Sequence, residues 1–383
     1  MAKIVIWLGA APEVWDPATA LLRGIGGSET AAIHVSDELA RLGHDVEVYA
    51  DVPRVQRFGL DEHPDHPVTF YPYMRWSPKY LCDLFVSSRQ PGARRECFPL
   101  CGRAWLWMHD LHCGPDWDNV LGTDYDRILC LSKWAREQFL SYYPAVSPDK
   151  VDQTRNGLDP SLFKRLEAAG LRPGAQHLLV KPAAGYGFCR MPLRATYSSS
   201  PDRGLARLLD FWPKIFAKYG PDSTLHVYYG FGTWRRLAEL HDQRDQLAQA
   251  DLLEHRLATT PGVVFHGRAG QEEVARSYLQ SQLWLYPTDF QETSCITAME
   301  AQAAGCHIVA TRCGALPETA PQAWFVDGPT RAAGSRAPDY EARFLAAVDE
   351  AMGSDYVYIP QLKSWAEVAA QWDGWITSSE VRS

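Results

Sequence analysis

The feature that most constrains this sequence is an alternation of short apolar runs and helix-like segments, which occurs twice along the chain. Runs typical of buried parallel strands lie at 3–8, 45–50, 84–87, 104–108 and 127–130, and again at 225–229, 263–266, 283–286 and 307–310. Segments with apolar residues at helical spacing lie at 29–42, 133–142, 205–219 and 272–280. Because parallel strands need crossover connections, the pattern predicts an α/β protein with two doubly wound, Rossmann-like domains.

The chain length agrees with two domains. A chain of 383 residues exceeds one typical hydrophobic core. The pattern weakens over 163–176, where Gly170, Pro173 and Gly174 predict a linker. We therefore expect domains at 1–168 and 175–360, followed by an amphipathic helix within 361–383.

Charge and hydrophobicity exclude several classes of protein. The net charge of −8 argues against binding to nucleic acid, although a local basic patch stays open. The amino terminus lacks the pattern of a signal peptide, and no apolar run approaches the ~20 residues of a membrane helix. We expect a cytoplasmic protein without a transmembrane segment, and peripheral membrane contact and oligomeric state stay open.

One cysteine and histidine cluster has the residue types of a metal site. It comprises Cys97, Cys101, His109, His112 and Cys113. The spacing matches no established zinc motif, and nine cysteines in a long chain do not indicate a disulfide framework. We therefore interpret these thiols as buried core residues and predict no metal.

A glycine-rich segment begins the first long helix. Gly26 and Gly27 precede Ser28 and Glu29, so backbone amides there are able to approach an anion. The segment lacks the third glycine of the dinucleotide-binding fingerprint. An ordinary glycine turn with a capped helix start is the alternative.

The strand at 104–108 ends in His109 and Asp110. The carboxyl end of a parallel strand faces the ligand crevice of this fold class, so His109 is a candidate site residue. Asp110 would orient its ring or bind a hydroxyl. A structural histidine is the alternative.

A polar turn that includes Tyr197 and Ser198 precedes Arg203 and a glycine-led helix. A cation such as arginine is unfavourable at the start of a helix unless an anion lies near it. Its guanidinium is suited to a phosphate, so Arg203 is a candidate binding residue.

Two carboxylates, Glu292 and Glu300, bracket seven residues. We expect Thr293 or Ser294 to cap a helix that carries Glu300 inward through a small, apolar stretch. A carboxylate in such surroundings needs a partner, and ribose hydroxyls would serve. Free amides at the helix start would face a diphosphate; these are the amides of Ser294, Cys295 and Ile296. Two unrelated surface glutamates are the alternative.

Taken together in this order, these segments resemble retaining glycosyltransferase family 4, which has the GT-B fold. The resemblance covers nearly the whole chain. It rests on Gly26-Gly27-x-Glu29, Gly43-His44-x-Val46, Leu131-Ser132-Lys133-Trp134, Arg155-Asn156-Gly157-Leu158-Asp159, Glu292-x7-Glu300 and Gly314-Ala315-Leu316-Pro317-Glu318. It implies an acceptor-side domain, a donor-binding domain facing it across a cleft, and a C-terminal helix that crosses back to the first.

The resemblance also implies roles for the candidate residues. Glu300 would hold the donor ribose, Glu292 would contact the donor sugar, and His109 would lie beside it at the reacting face. Arg203 would neutralise the departing diphosphate. The remaining expected contacts to donor or acceptor come from Gly26, Gly27, Asp110, Tyr197, Ser198, Thr293, Ser294, Cys295 and Ile296.

One departure from the family pattern concerns charge. The family has an arginine and a lysine around this turn; Arg203 matches the lysine, whereas Tyr197 or Ser198 stands at the arginine position. Arg268 is a candidate substitute. The implied mechanism is front-face displacement with retention, in which the diphosphate accepts the acceptor proton and no side-chain base is required.

The expected donor is a UDP- or GDP-linked hexose, the acceptor is of glycan type, and no cofactor is expected. Two alternatives remain open. One is a sugar phosphorylase or sugar-phosphate synthase on the same fold. The other is a catalytically silent binding or scaffolding subunit, which the missing cation keeps open.

Overall fold

A computed structural model of the protein describes residues 1–60, 65–171, 192–328, 339–354 and 362–378. The chain divides into two compact units. Unit 1 comprises Met1–Leu21, Ile25–Leu158 and Lys363–Ser383, and unit 2 comprises Leu22–Gly24 and Asp159–Leu362. None of the described helices is long and apolar enough to cross a membrane.

Unit 1 is built on an eight-stranded sheet. Its strands are β1 (Lys3–Gly9), β2 (Asp45–Ala50), β3 (Gln56–Phe58), β4 (Val68–Pro72), β5 (Leu81–Ser88), β6 (Leu100–Trp107), β7 (Arg127–Cys130) and β8 (Val151–Gln153). Helix α1 (Pro17–Arg23) belongs to unit 1 except for its last two residues. The next helices of unit 1 are α2 (Gly27–Arg41), α3 (Ala93–Cys97), α4 (Asp118–Asp124) and α5 (Lys133–Tyr142). The strand order is β3-β4-β2-β1-β5-β6-β7-β8, with β3 antiparallel to β4 and the other neighbours parallel.

Unit 2 is built on a six-stranded parallel sheet in the order β11-β10-β9-β12-β13-β14. The strands are β9 (Arg194–Tyr197), β10 (Thr224–Tyr228), β11 (Val263–Gly267), β12 (Leu283–Tyr286), β13 (His307–Thr311) and β14 (Trp324–Val326). The helices are α6 (Pro160–Ala168), α7 (Leu205–Tyr219), α8 (Gly232–Leu240), α9 (Arg244–Thr259), α10 (Gln271–Leu279), α11 (Ile296–Ala303), α12 (Leu316–Thr319) and α13 (Tyr340–Gly353).

Each sheet has a point where the strand order reverses. In unit 1 this point lies between β1 and β5, and in unit 2 it lies between β9 and β12. The central strands are apolar on both faces, as in Ile4, Val5 and Ile6, because helices cover both faces of a parallel sheet. Open α/β sheets bind ligands at the carboxyl ends of the strands beside the reversal, so a ligand is expected at these strand ends.

The last described helix, α14 (Trp365–Thr377), belongs to unit 1 and packs on α2. The ring of Trp365 stacks on His34 with centroids 5.3 Å apart. Ser364 and Glu367 form a capping box at its start. Gly157 approaches this start so closely that a Cβ there would lie 2.6 Å from the backbone nitrogen of Trp365. The close approach explains the glycine.

The predicted fold class is confirmed, and several elements match in detail. The helix at 133–142 begins after Ser132, whose Oγ accepts a bond from the Ala135 amide. The predicted linker is wrong in its first part, because α6 extends to Ala168 after an Asp159 cap. The rest of that linker largely lies outside the described residues, as do the domain limits at 175, 360 and 361.

Candidate functional site

The candidate site of unit 2 lies at the carboxyl ends of β9 and β12. Arg203 ends a short 3-10 turn after β9, and Glu292 lies in the loop after β12. Gly204 has a φ of +107°, and a Cβ there would lie 2.6 Å from the carbonyl oxygen of Pro287. The glycine therefore lets the turn that carries Arg203 pack directly against the loop.

Arg203 and Glu292 form an ion pair. Nη1 of Arg203 donates to both carboxylate oxygens, at 3.0 and 3.2 Å, and the Tyr286 hydroxyl donates to the same carboxylate. The Arg203 guanidinium also lies 4.0 Å from the centre of the Phe290 ring. Burial has the largest single effect and lowers the pKa of Arg203, but the surrounding acidic groups, Glu292 first among them, together outweigh burial and raise the net pKa. The arginine is therefore held as a permanent cation.

The backbone of Glu292 is fixed by the segment at Gly314 and Ala315. The Ala315 amide donates to the Glu292 carbonyl at 2.7 Å. A Cβ on Gly314 would lie 2.5 Å from that carbonyl oxygen, and Gly314 has a φ of +59°. This contact gives a structural reason for the glycine in the 314–318 motif.

Helix α11 begins at Ile296 without a side-chain cap. Cys295 occupies the cap position, so the prediction that Thr293 or Ser294 caps the helix is wrong. The Cys295 thiol instead lies 3.2 Å from the Thr297 hydroxyl. An uncapped start leaves backbone amides available to an anion.

Two buried polar atoms beside this helix start have no hydrogen-bond partner in the described part of the chain. They are Oγ of Ser294 and Nε of Arg203. Ser294 as a whole is only 9% exposed. Buried polar groups are nearly always paired in folded proteins, so these two donors are suited to bind a ligand.

Glu300 lies within α11, and its side chain is partly buried. Burial raises the pKa of its carboxyl to about 8. Among the described residues no cation or hydrogen-bond donor is recorded for this side chain. The carboxyl is thus available to accept hydrogen bonds from a ligand that compensates for its burial.

The hydroxyls of Tyr197 and Ser198 are already bonded within the protein. Tyr197 is buried, and its hydroxyl donates to the Ser200 carbonyl at 2.8 Å. Ser198 Oγ is hydrogen-bonded to the Tyr278 hydroxyl. A ligand contact by either side chain stays a prediction.

In unit 1, Gly26 and Gly27 form the start of α2 at the carboxyl end of β1. Gly26 is the cap residue and makes no side-chain cap bond. The Glu29 carboxylate folds back towards it, since a Cβ on Gly26 would lie 2.4 Å from Glu29 Oε2. Ser28 Oγ donates to the same oxygen at 2.9 Å.

Arg89 connects this helix start to Asp110, a relationship that the sequence analysis missed. It follows β5 and donates to the two Asp110 carboxylate oxygens at 2.7 and 3.1 Å. Its Nη1 also lies 3.4 Å from Ser28 Oγ. The strand-end rule that selected His109 would have selected Arg89 as well, because it directly follows a buried strand.

His109 follows β6, with its ring centroid 4.5 Å from that of Trp107. Burial, reinforced by the Arg89 charge and opposed by Asp110, lowers the pKa of His109 to about 3. The imidazole is therefore neutral at physiological pH.

The remaining candidates lie apart from these groups. Arg268 follows β11, two strand positions from β9, so its role as a second cation stays a prediction. The thiols of Cys97 and Cys101 pack in an apolar cluster with Val5 and Trp7. Across the described ranges, no three or more His, Cys, Asp or Glu side chains are arranged to hold a metal ion.

Comparisons with known proteins agree with this architecture. Residues 195–348, which include Arg203, Glu292 and Glu300, match the family model described as glycosyl transferases group 1. No curated protein sequence matches the chain.

Solved structures match over nearly the full length. HepE from Anabaena in complex with UDP-glucose has a TM-score of 0.59 at 13% identity, covering 98% of this chain and 100% of its own. Sucrose-phosphate synthase from Thermosynechococcus elongatus has a TM-score of 0.63 at 16% identity, covering 97% and 98%. Starch synthase IV from Arabidopsis thaliana, bound to ADP and acarbose, has a TM-score of 0.55 at 12% identity, covering 98% and 99%. These similarities support the two-domain GT-B fold.

Proposed function

We propose that this protein is a retaining glycosyltransferase that moves a hexose-type sugar from a nucleotide-sugar to a hydroxyl of a glycan-type acceptor. The observation that carries the proposal is the uncapped start of α11 beside Arg203 and the unpaired Ser294 hydroxyl. Helix amides, a hydroxyl and a guanidinium are the donors that a diphosphate requires. The match of residues 195–348 supports the same assignment.

Glu300 fits the ribose of such a donor. Its carboxyl is raised in pKa by burial, and two neighbouring ribose hydroxyls would donate hydrogen bonds to it. Hydrogen bonds to a carboxylate favour its ionised form, so the bound nucleotide would lower the raised pKa again. Nucleotide binding near neutral pH should therefore release a proton.

The proposed reaction is a front-face displacement. The acceptor oxygen bonds to the anomeric carbon as the bond to the diphosphate breaks, and a diphosphate oxygen takes the acceptor proton. Arg203 and the α11 amides stabilise the charge that develops on the leaving group. His109 has a neutral imidazole because burial lowers its pKa, and its role at the reacting face stays a prediction.

The arrangement leaves the base of the donor open. HepE is described with UDP-glucose and starch synthase IV with ADP, so uridine, guanosine and adenosine donors all belong in a first screen. A phosphorylase or sugar-phosphate synthase would be distinguished by a requirement for free phosphate or a sugar-phosphate acceptor.

The test combines binding and turnover. Calorimetry with UDP, GDP and ADP should show that one nucleoside diphosphate binds, and the matching nucleotide-sugar should be hydrolysed slowly without an acceptor. NMR of a transfer product should show that the anomeric configuration is retained. Failure of all three diphosphates to bind would contradict the proposal and favour a scaffolding subunit.

A further inference from the structure

Two chain segments lie side by side at the amino ends of β5 and β6. Arg89 and His109 follow the carboxyl ends of the same two strands. The Lys79 amide donates to the Phe98 carbonyl at 2.9 Å, and the Leu100 amide donates to the Tyr80 carbonyl at 3.0 Å. Leu81 is paired in register with Leu100. These bonds bring three apolar side chains to one place.

Those side chains, which we call the Leu81 patch, are Leu81, Phe98 and Leu100. They are 73%, 54% and 48% exposed. Lys79 and Phe98 also have positive φ values of 65° and 47°, which are uncommon for residues other than glycine. The chain thus holds a strained pair of turns and displays large apolar side chains to solvent.

Lys79 and Arg94 lie beside the patch, within a chain whose net charge is −8. Arg94 donates to the carbonyl of Pro99, which lies between Phe98 and Leu100, and the Lys79 amide donates to the Phe98 carbonyl. Within the described residues, neither Lys79 nor Arg94 is paired with a carboxylate.

We propose that the Leu81 patch docks the protein on an anionic lipid bilayer. Exposed apolar side chains flanked by unpaired cations suit the boundary between acyl chains and negative headgroups. A second copy of the chain fits less well, because a self-complementary contact would bring Lys79 and Arg94 towards like charges. Since β5 is ~25 Å long, docking at its amino end leaves the carboxyl end free for Arg89 and the α2 start.

The test is co-sedimentation of the full chain with vesicles. Phosphatidylcholine vesicles with about 30% phosphatidylglycerol should bind the protein, whereas pure phosphatidylcholine should bind it at least about tenfold more weakly. Binding should also fall when salt rises from about 0.1 M to about 0.5 M, because exposed charges are then screened. Equal binding to both kinds of vesicle, or binding to neither, would overturn the proposal.

The variants locate the surface. Leu81→Ser with Phe98→Asn removes two patch side chains, and asparagine tolerates positive φ. Leu240→Ser with Leu252→Ser is the matched control, because these unit 2 side chains are 75% and 58% exposed. The patch variant should lose about tenfold in vesicle binding at unchanged thermal stability, and the control should bind like the original protein. Loss in both, or in neither, would refute the assignment. Concentration-dependent dimers that the patch variant abolishes would instead identify a second copy as the occupant.

Discussion

Nη1 of Arg203 lies 3.0 and 3.2 Å from the two carboxylate oxygens of Glu292, and the Tyr286 hydroxyl bonds to the same carboxylate. The Glu292 side chain is 5% exposed and that of Arg203 is 35% exposed. In the free protein, Glu292 therefore serves to position the guanidinium. Any contact of Glu292 with the donor sugar is made by a carboxylate that already binds Arg203.

Substitutions in this ion pair should have distinguishable effects on stability and on ligand binding. Arg203→Ala leaves a buried carboxylate without its cation, so the free energy of unfolding should fall by roughly 2 kcal/mol, which is less than for a fully buried pair because Arg203 is partly exposed. Nucleoside diphosphate affinity should fall by at least about tenfold. Urea unfolding and calorimetry measure the two effects.

The double variant Arg203→Ala/Glu292→Gln supplies the control. Because no uncompensated charge remains, it should recover most of the lost stability while diphosphate affinity stays low. Recovery of affinity in the double variant would show that Arg203 acts only through the fold.

Local signals made much of the architecture predictable. Ser132 and the apolar periodicity of 133–142 are contained in one short segment, and the helix has those bounds. The Arg203–Glu292 pair joins residues 89 positions apart, and its geometry depends on Gly204 and the loop after β12. No spacing rule encodes such a contact, which explains why the sequence suggested both residues but not their pairing.

The wrong predictions at α11 and α6 have different causes. Thr293 and Ser294 have the usual chemistry of a helix cap, yet the loop that Gly314 and Ala315 hold through Glu292 places Cys295 at the cap position. Tertiary contacts overrode residue preference there. A linker was predicted in place of α6 because Gly170 and the prolines near it are typical of linkers, whereas the Asp159 cap begins a helix.

Gly157 should not tolerate a side chain. A Cβ would lie 2.6 and 2.7 Å from the backbone nitrogen and Cα of Trp365, so Gly157→Ala must displace the start of α14. We expect a loss of roughly 1–3 kcal/mol in the free energy of unfolding. Gly374→Ala in the same helix is the control, because a Cβ there meets no atom within 4 Å. This substitution should stabilise the helix by up to about 1 kcal/mol. Equal effects of the two substitutions in urea unfolding would contradict the close approach.

Glu300 should make stability depend on pH. Its folded pKa of about 8 lies above the ordinary value of 4.5, so between these limits the folded state binds more protons than the unfolded state. The contribution of Glu300 to stability is therefore largest below pH 4.5 and is lost as the pH rises through 8, by at most about 1.4 kcal/mol per unit. Denaturation from pH 5 to 9 should show this decline in the original protein and a weaker one in Glu300→Gln.

The same carboxyl provides a signature of nucleotide binding. If ribose hydroxyls bond to ionised Glu300, diphosphate binding at pH 7 should release about one proton. Calorimetry in two buffers of different ionisation enthalpy measures that number. Glu300→Gln should release none, and an unchanged proton count in this variant would remove Glu300 from the ribose site.

Ser294 offers the sharpest separation of ligand binding from folding. Its buried hydroxyl has no hydrogen-bond partner in the described part of the chain, so Ser294→Ala removes an unsatisfied group. The free protein should keep its stability or gain up to about 1 kcal/mol, whereas diphosphate affinity should fall about tenfold because a hydrogen bond to the anion is lost. Ser277→Ala is the matched control, since Ser277 Oγ is buried and bonded to Thr196 at 3.0 Å. Loss of this hydrogen bond should lower stability and leave diphosphate affinity unchanged. A Ser294→Ala variant that is destabilised and binds normally would show that this hydroxyl supports the fold and not the ligand.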